Sequence, residues 1–189
     1  MVRNEGKWAK GQAGFRRHHF TTYHLVTLRI IAKECRNSKS NLFCCFVDFR
    51  KALDTVPGNN FWKILDELKI HFELRVIAIR LYKIVFTKFK DNNGWSKDIN
   101  CNIVVKQCCP LSPTLFCIYI NKLEGCLEDA CCVNMTLVAI VVILLLYVDD
   151  IVFMARCPFD LDKQLRTLKD FCFNMGMIVN KDKTKVMII

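Results

Sequence analysis

Proline and glycine are scarce, at four and seven residues in 189, which excludes collagen-like and low-complexity architectures. No Cys-x-x-Cys pair occurs, although the chain holds 12 Cys. The tandem pairs Cys44-Cys45, Cys108-Cys109 and Cys131-Cys132 are unsuited to clamping a tetrahedral metal, and His18, His19, His24 and His71 do not pair with Cys at finger spacing. Cys44, Cys45, Cys117 and Cys172 sit inside apolar runs, where a reduced Cys behaves as a small hydrophobe. The chain therefore reads as reduced and intracellular, with no disulfide-linked partner. No hydrophobic signal core follows the polar start MVRNEGKWAKGQ, which argues against secretion. The longest apolar run, LVAIVVILLLYV from Leu137 to Val148, has 12 residues, whereas a membrane span needs about 20. Rich in Val and Ile, it is predicted to be one strand buried on both faces, with no membrane role.

Acidic residues are also in deficit, with 18 Asp+Glu against 28 Lys+Arg for a net charge of +10. Residues 1–40 carry nine Lys/Arg but only Glu5 and Glu34, hence +7 of that total. A basic segment ahead of a nearly balanced remainder predicts a polyanionic partner, nucleic acid before acidic lipid. With 52% hydrophobic and 11% aromatic residues, the chain has ample material for a core.

Hydrophobic spacing then predicts the elements. Residues 1–20 read as irregular. Leu25, Leu28, Ile31 and Ala32 share a helical face, with Thr21 or Thr22 as N-cap. Leu42–Phe49 reads as a strand, apolar on both faces until Asp48. Asn59-Asn60 would cap a helix carrying Phe61, Ile64, Leu65 and Leu68, and a second helix would follow from Glu73 to Phe86. Asp91–Asn100 is polar and hairpin-like, and Ile103–Lys106 suits a short strand. Ser112-Pro113 signals a helix start, with Ser as N-cap and Pro at the first position. Phe116, Ile120, Leu123 and Leu127 continue that helix as a stripe. After the apolar run and Asp149-Asp150 comes a second apolar run, Ile151–Ala155, predicted to form a hairpin with residues 140–148 at the sheet centre. Asp160 would cap a helix that Gly176 ends, and Thr184–Ile189 would be a last strand. This order predicts an α+β fold of the split βαβ kind, with helices on one face of a mainly antiparallel sheet.

The sharpest chemical feature is Tyr147-Val148-Asp149-Asp150 between two apolar runs. Adjacent strand residues point to opposite faces, so two neighbouring Asp converge only if the chain turns there. Taken alone, Asp-Asp is a solvated hairpin turn. Asp48, near the end of the buried strand Leu42–Val47, changes the reading, because a carboxylate in that place needs a cation or metal partner. Asp48, Asp149 and Asp150 on adjacent strands are predicted to converge and hold two divalent ions for in-line phosphoryl transfer. Oxygen-only ligation suits Mg²⁺ or Mn²⁺ rather than zinc.

Five segments in order resemble the reverse transcriptase domain of non-LTR (LINE-type) retrotransposons. Gln12-Ala13-Gly14-Phe15-Arg16 resembles the family's QAGFR element of the fingers, and Phe46–Asp54 (FVDFRKALD) the first palm motif. Lys106–Pro113 (KQCCPLSP) is similar to QGxPLSP, Leu146–Asp150 (LYVDD) to YxDD, and Gly176–Lys185 (GMIVNKDKTK) to the element ending in Asn-x-x-Lys-Thr. The resemblance implies a polymerase palm over residues 41–189, preceded by a partial fingers-like basic segment over 1–40. It implies RNA-directed DNA synthesis from an RNA template, a DNA primer and dNTPs, with Mg²⁺ or Mn²⁺ as cofactor. Asp48 and Asp149 would be the main metal ligands and Asp150 the third carboxylate. The Phe49 backbone would face the metal and triphosphate, Gln107 and Pro110 the incoming nucleotide and template, and Lys183 the pyrophosphate leaving group. Four positions depart from the pattern, two of them mildly: Val148 replaces the usual Ala of the LINE-type element, and Gly58 stands where Arg is common after Val-Pro. Cys108 stands where Gly allows close backbone approach, and Leu53 stands where an aromatic excludes a ribose 2′-hydroxyl. Against the family's full length, earlier fingers strands, thumb and endonuclease are absent, which predicts impaired catalysis. The alternative is a catalytically inert nucleic-acid-binding remnant.

Overall fold

A computed structural model describes residues 8–53, 55–83, 86–91, 94–100, 109–137 and 140–189. Asp54, Gln107, Cys108 and the expected strand Ile103–Lys106 lie outside the described residues.

Four strands form the central antiparallel sheet: β1 (Phe43–Val47), β8 (Leu144–Tyr147), β9 (Asp150–Ala155) and β10 (Lys185–Ile188), in the order β10-β1-β9-β8. Alternation along these strands sorts their side chains between two cores. Cys45, Val47, Leu144, Leu146, Ile151, Phe153 and Ala155 face the larger core. That core is filled from α2 (Gly58–Glu67), α4 (Ser112–Ile120), α5 (Lys122–Asp129) and α6 (Pro158–Met175). Cys44, Leu145 and Met154 face the other way, with Leu42 beside them, and meet Ile31 and Cys35 of α1 (Thr21–Asn37). The fold is the expected palm-like α+β arrangement, and its main helical layer lies on one face. α1 adds a smaller layer on the opposite face, because the two-sided apolar character of β1, β8 and β9 leaves a second surface to cover.

The remaining elements are peripheral. Helix α3 (Phe72–Lys83) leads into two small paired ribbons, β2 (Phe86–Thr87) with β5 (Ile99–Asn100) and β3 (Lys90–Asp91) with β4 (Gly94–Trp95). This agrees with the hairpin-like reading of the polar stretch.

The long apolar run is not one strand. It divides into β7 (Ile140–Val142), which pairs with β6 (Met135–Leu137), and β8, which pairs with β9. The last β8–β9 pair is Leu144–Phe153. One residue beyond it, the Met154 carbonyl accepts from the buried Gln164 Nε2 at 3.2 Å, and the same amide donates to the Val133 carbonyl at 3.2 Å. A side chain from α6 thus satisfies the acceptor where the ladder stops, and the preceding residues are released into a second sheet. Nor is the hairpin central: β9 is interior, and β8 ends the four-strand order. The outer edge of β8 is covered by residues 11–13, which bond to Leu146 from both sides (Leu146 N to the Gly11 carbonyl, 3.0 Å; Ala13 N to the Leu146 carbonyl, 2.9 Å).

Four predicted caps move. Phe20 rather than Thr21 or Thr22 precedes α1, and Leu25 on that helix is exposed. Pro57 precedes α2, so Asn59-Asn60 fall inside its first turn. Ser112 is a buried helical residue behind Leu111, whose carbonyl already accepts from Leu115 N. Cys157, not Asp160, caps α6 and accepts from Asp160 N at 3.5 Å. Pro158 explains that last shift: it takes the first helical position, where a missing N–H costs nothing, and so places the cap on Cys157, three residues before Asp160. Gly176 does end α6, in the left-handed region at φ +69°.

Candidate active site

Register sets the site. In the β1–β9 ladder Val47 faces Ile151, so one step further along both strands brings Asp48 beside Asp150 at the same end of the sheet. In the β8–β9 hairpin Tyr147 pairs with Asp150, leaving Val148 and Asp149 as a two-residue loop. The field at Asp150 records this placement. Partial burial first, then the Asp149 and Asp48 charges, hold its carboxyl above the ordinary carboxylate range. Asp149 also acts on Cys117 of α4, whose thiol is pushed up to about 12, mainly by burial and then by that charge.

The backbone around Asp48 is held by the segment after α6. Asn180 N donates to the Asp48 carbonyl at 2.7 Å, and Asp48 N donates to Thr184 Oγ1 at 3.3 Å. Phe49, which is buried, bridges Val179, and Arg50 N donates to the Ile178 carbonyl at 2.8 Å. Residues 181–183 form an exposed turn closed by Thr184 N to the Asn180 carbonyl at 2.9 Å. Lys183 thus sits on a loop whose two ends are bonded to the Asp48 backbone. Leu53 is half-buried and packs against the larger core. Pro110 is exposed in the turn before α4.

Sequence reading passed over three side chains at this site. Gln12 accepts from Val148 N at 3.2 Å. Thr184 braces Asp48, and Cys117 lies in the field of Asp149. Only Gln12 and Thr184 fell within quoted motifs, and nothing local announced contacts made across 136 positions.

Among the described residues, no group of three or more His, Cys, Asp or Glu stands in a metal-holding arrangement. The chemistry of the donor set nevertheless fits a hard divalent cation. Asp48 and Asp149 both repel charge on Asp150, and oxygen ligands of one sign are what Mg²⁺ or Mn²⁺ neutralises. No described helix is long and apolar enough to cross a membrane.

Residues 3–188 match the family described as Reverse transcriptase (RNA-dependent DNA polymerase). The chain belongs to that family. The same fold also appears in solved structures. One is apo telomerase from Candida tropicalis truncated from its C-terminal domain, at 16% identity and TM-score 0.65, covering 95% of this chain and 36% of that one. Another is telomerase from Candida albicans in complex with a TWJ fragment of telomeric RNA, at 15% identity and TM-score 0.64, covering 93% and 31%. The chain thus spans about a third of the length of these telomerases. No curated protein sequence matches it.

Proposed function

We propose that this reverse transcriptase domain is the palm-centred part of an RNA-directed DNA polymerase of the non-LTR, LINE-type kind. The observation that carries the reading is the meeting of Asp48 with the Asp149-Asp150 turn at one sheet end, where burial and then both neighbouring charges raise the Asp150 carboxyl. The element type is supported by the order QAGFR, FVDFRKALD, PLSP, YVDD and NKDKT along the chain. Its substrates are an RNA template, a DNA primer and dNTPs.

Asp48, Asp149 and Asp150 would hold the divalent ions. When bound, Mg²⁺ or Mn²⁺ neutralises charge as a primer 3′-hydroxyl displaces pyrophosphate from the dNTP. The chain's own residues position the reactants. The Phe49 backbone lines the triphosphate side, and Gln107 and Pro110 bear on template and incoming nucleotide. Lys183 offers a cation to the leaving pyrophosphate from a loop tied to Asp48. Leu53, in place of an aromatic, relaxes the exclusion of a 2′-hydroxyl, so Leu53→Phe is expected to sharpen discrimination against ribonucleotides.

The test is primer extension on an RNA template with Mg²⁺ or Mn²⁺, beside an Asp149→Ala, Asp150→Ala variant. Weak, metal-dependent extension that disappears in the variant supports the polymerase reading. Salt-sensitive binding with no extension by the unmodified chain replaces it with the inert, nucleic-acid-binding alternative.

A further inference from the structure

Val148 has φ +60°. A β-branched residue in that region is an outlier, and the first central position of a two-residue hairpin loop with positive φ favours Gly. Such a conformation persists only where its surroundings over-determine it. Two residues from the other end of the chain do so. Gln12, fully buried, accepts through Oε1 from Gly14 N at 2.7 Å and from Val148 N at 3.2 Å. Because both partners are N–H donors, the carbonyl oxygen must be the atom facing them. The cost of that orientation is visible: Nε2 is buried with no partner. Gly14 contributes by what it lacks, since a Cβ there would stand 2.7 Å from both Val148 Cγ2 and Val148 N. The segment itself is locked in place by its bonds to Leu146 and by Arg16 Nη1, which donates to the carbonyls of Ala9 and Gln12 at 3.2 and 2.9 Å.

We propose that Gln12 is a positioning residue for the Asp149-Asp150 turn: its side-chain carbonyl holds Val148 left-handed and thereby aims the two carboxylates at Asp48. The proposal rests on the polymerase reading for the purpose of that aim, but not for the hold itself. Gln12→Met keeps the side-chain length and removes the acceptor.

In the full 189-residue chain, Gln12→Met is expected to speed hydrogen exchange at the Val148 and Gly14 amides at least about tenfold, while β9 and α6 amides keep their protection. Its Mn²⁺ affinity, read by electron paramagnetic resonance, is expected to fall about 10–100-fold, the usual effect of losing a residue that orients a metal ligand. In a Val148→Gly background the left-handed turn needs no support. There the same substitution is expected to cost less than about threefold, so that the two positions are coupled. Unchanged exchange at Val148, or an equal loss of Mn²⁺ affinity in both backgrounds, overturns the proposal. If Gln12→Met fails to fold, the double variant decides: folding restored by Val148→Gly supports the hold on the turn, and a double variant that also fails makes Gln12 a core residue only. If the unmodified chain binds no Mn²⁺, the polymerase reading falls, and the amide exchange still decides whether Gln12 holds the turn.

Discussion

Glu124 is a carboxylate buried on α5, with Oε2 3.5 Å from Gly11 N. Burial pushes its carboxyl above the ordinary range and Glu128 adds to this, while the Gly11 and Lys10 amides and the Lys10 charge pull it back. A folded-state value raised above the unfolded one means that the native state binds more protons over that interval. The stability linked to Glu124 is therefore fully present below the unfolded carboxyl value and is lost as pH rises through the folded one. Glu124→Gln keeps an acceptor for Gly11 and removes the ionisation. Its Tm near neutral pH is expected to exceed that of the parent in thermal melts. The two melting curves are expected to converge as pH falls below the unfolded carboxyl value, where both carry a neutral side chain. A variant that melts below the parent at neutral pH would show that the charged form is the one the fold prefers.

Helix α6 shows how much one element depends on its two ends. It supplies Leu161, Leu168, Phe171, Cys172 and Met175 to the larger core, so fraying at either end uncovers apolar surface. At its start Cys157 accepts from Asp160 N and donates to Asp160 Oδ2 at 3.0 Å, a reciprocal cap built on a thiol. Cys157→Ala is expected to cost about 1 kcal/mol in urea unfolding, whereas Cys157→Ser retains a capping oxygen and should match or exceed the parent. At its end Gly176 is left-handed, and a Cβ there would lie 2.6 Å from Pro57 Cγ. Gly176→Ala should cost about 1–2 kcal/mol from the backbone alone, plus the clash with Pro57. Adding Pro57→Ala should recover only the second part, and full recovery would mean that the backbone conformation costs nothing.

Charge is a property of the whole molecule, and the fold divides it unequally. Arg16 is spent on the Ala9 and Gln12 carbonyls, whereas Arg29, Lys33, Arg36 and Lys39 remain exposed on and just after α1. Replacing these four with Gln is expected to flatten the salt dependence of single-stranded RNA binding by up to about 3 units of log K against log salt, at about 0.7 for each phosphate no longer neutralised. Arg16→Ala is expected to lower Tm and leave that slope unchanged. An unaltered slope in the fourfold variant would place the nucleic-acid interface on another face.

Local chemistry determined which segments became elements. Two-sided apolar runs made β1, β8 and β9, the Phe116–Leu127 stripe made a buried helical face, and Gly176 ended α6 because a left-handed stop favours a residue without Cβ. Asp48 and Asp149-Asp150 stood out because each ends an apolar run, and the strand register sets Asp48 beside Asp150. Tertiary structure decided what depends on distant partners. The apolar run stops being one strand where Gln164 takes the Met154 carbonyl, and α4 and α5 divide the stripe between two helices. The Asp149-Asp150 turn acquires its left-handed Val148 beside a glutamine 136 residues away. Periodicity and propensity record only neighbours along the chain. A buried donor or acceptor must find its partner in space, and only the packed fold says which one is within reach.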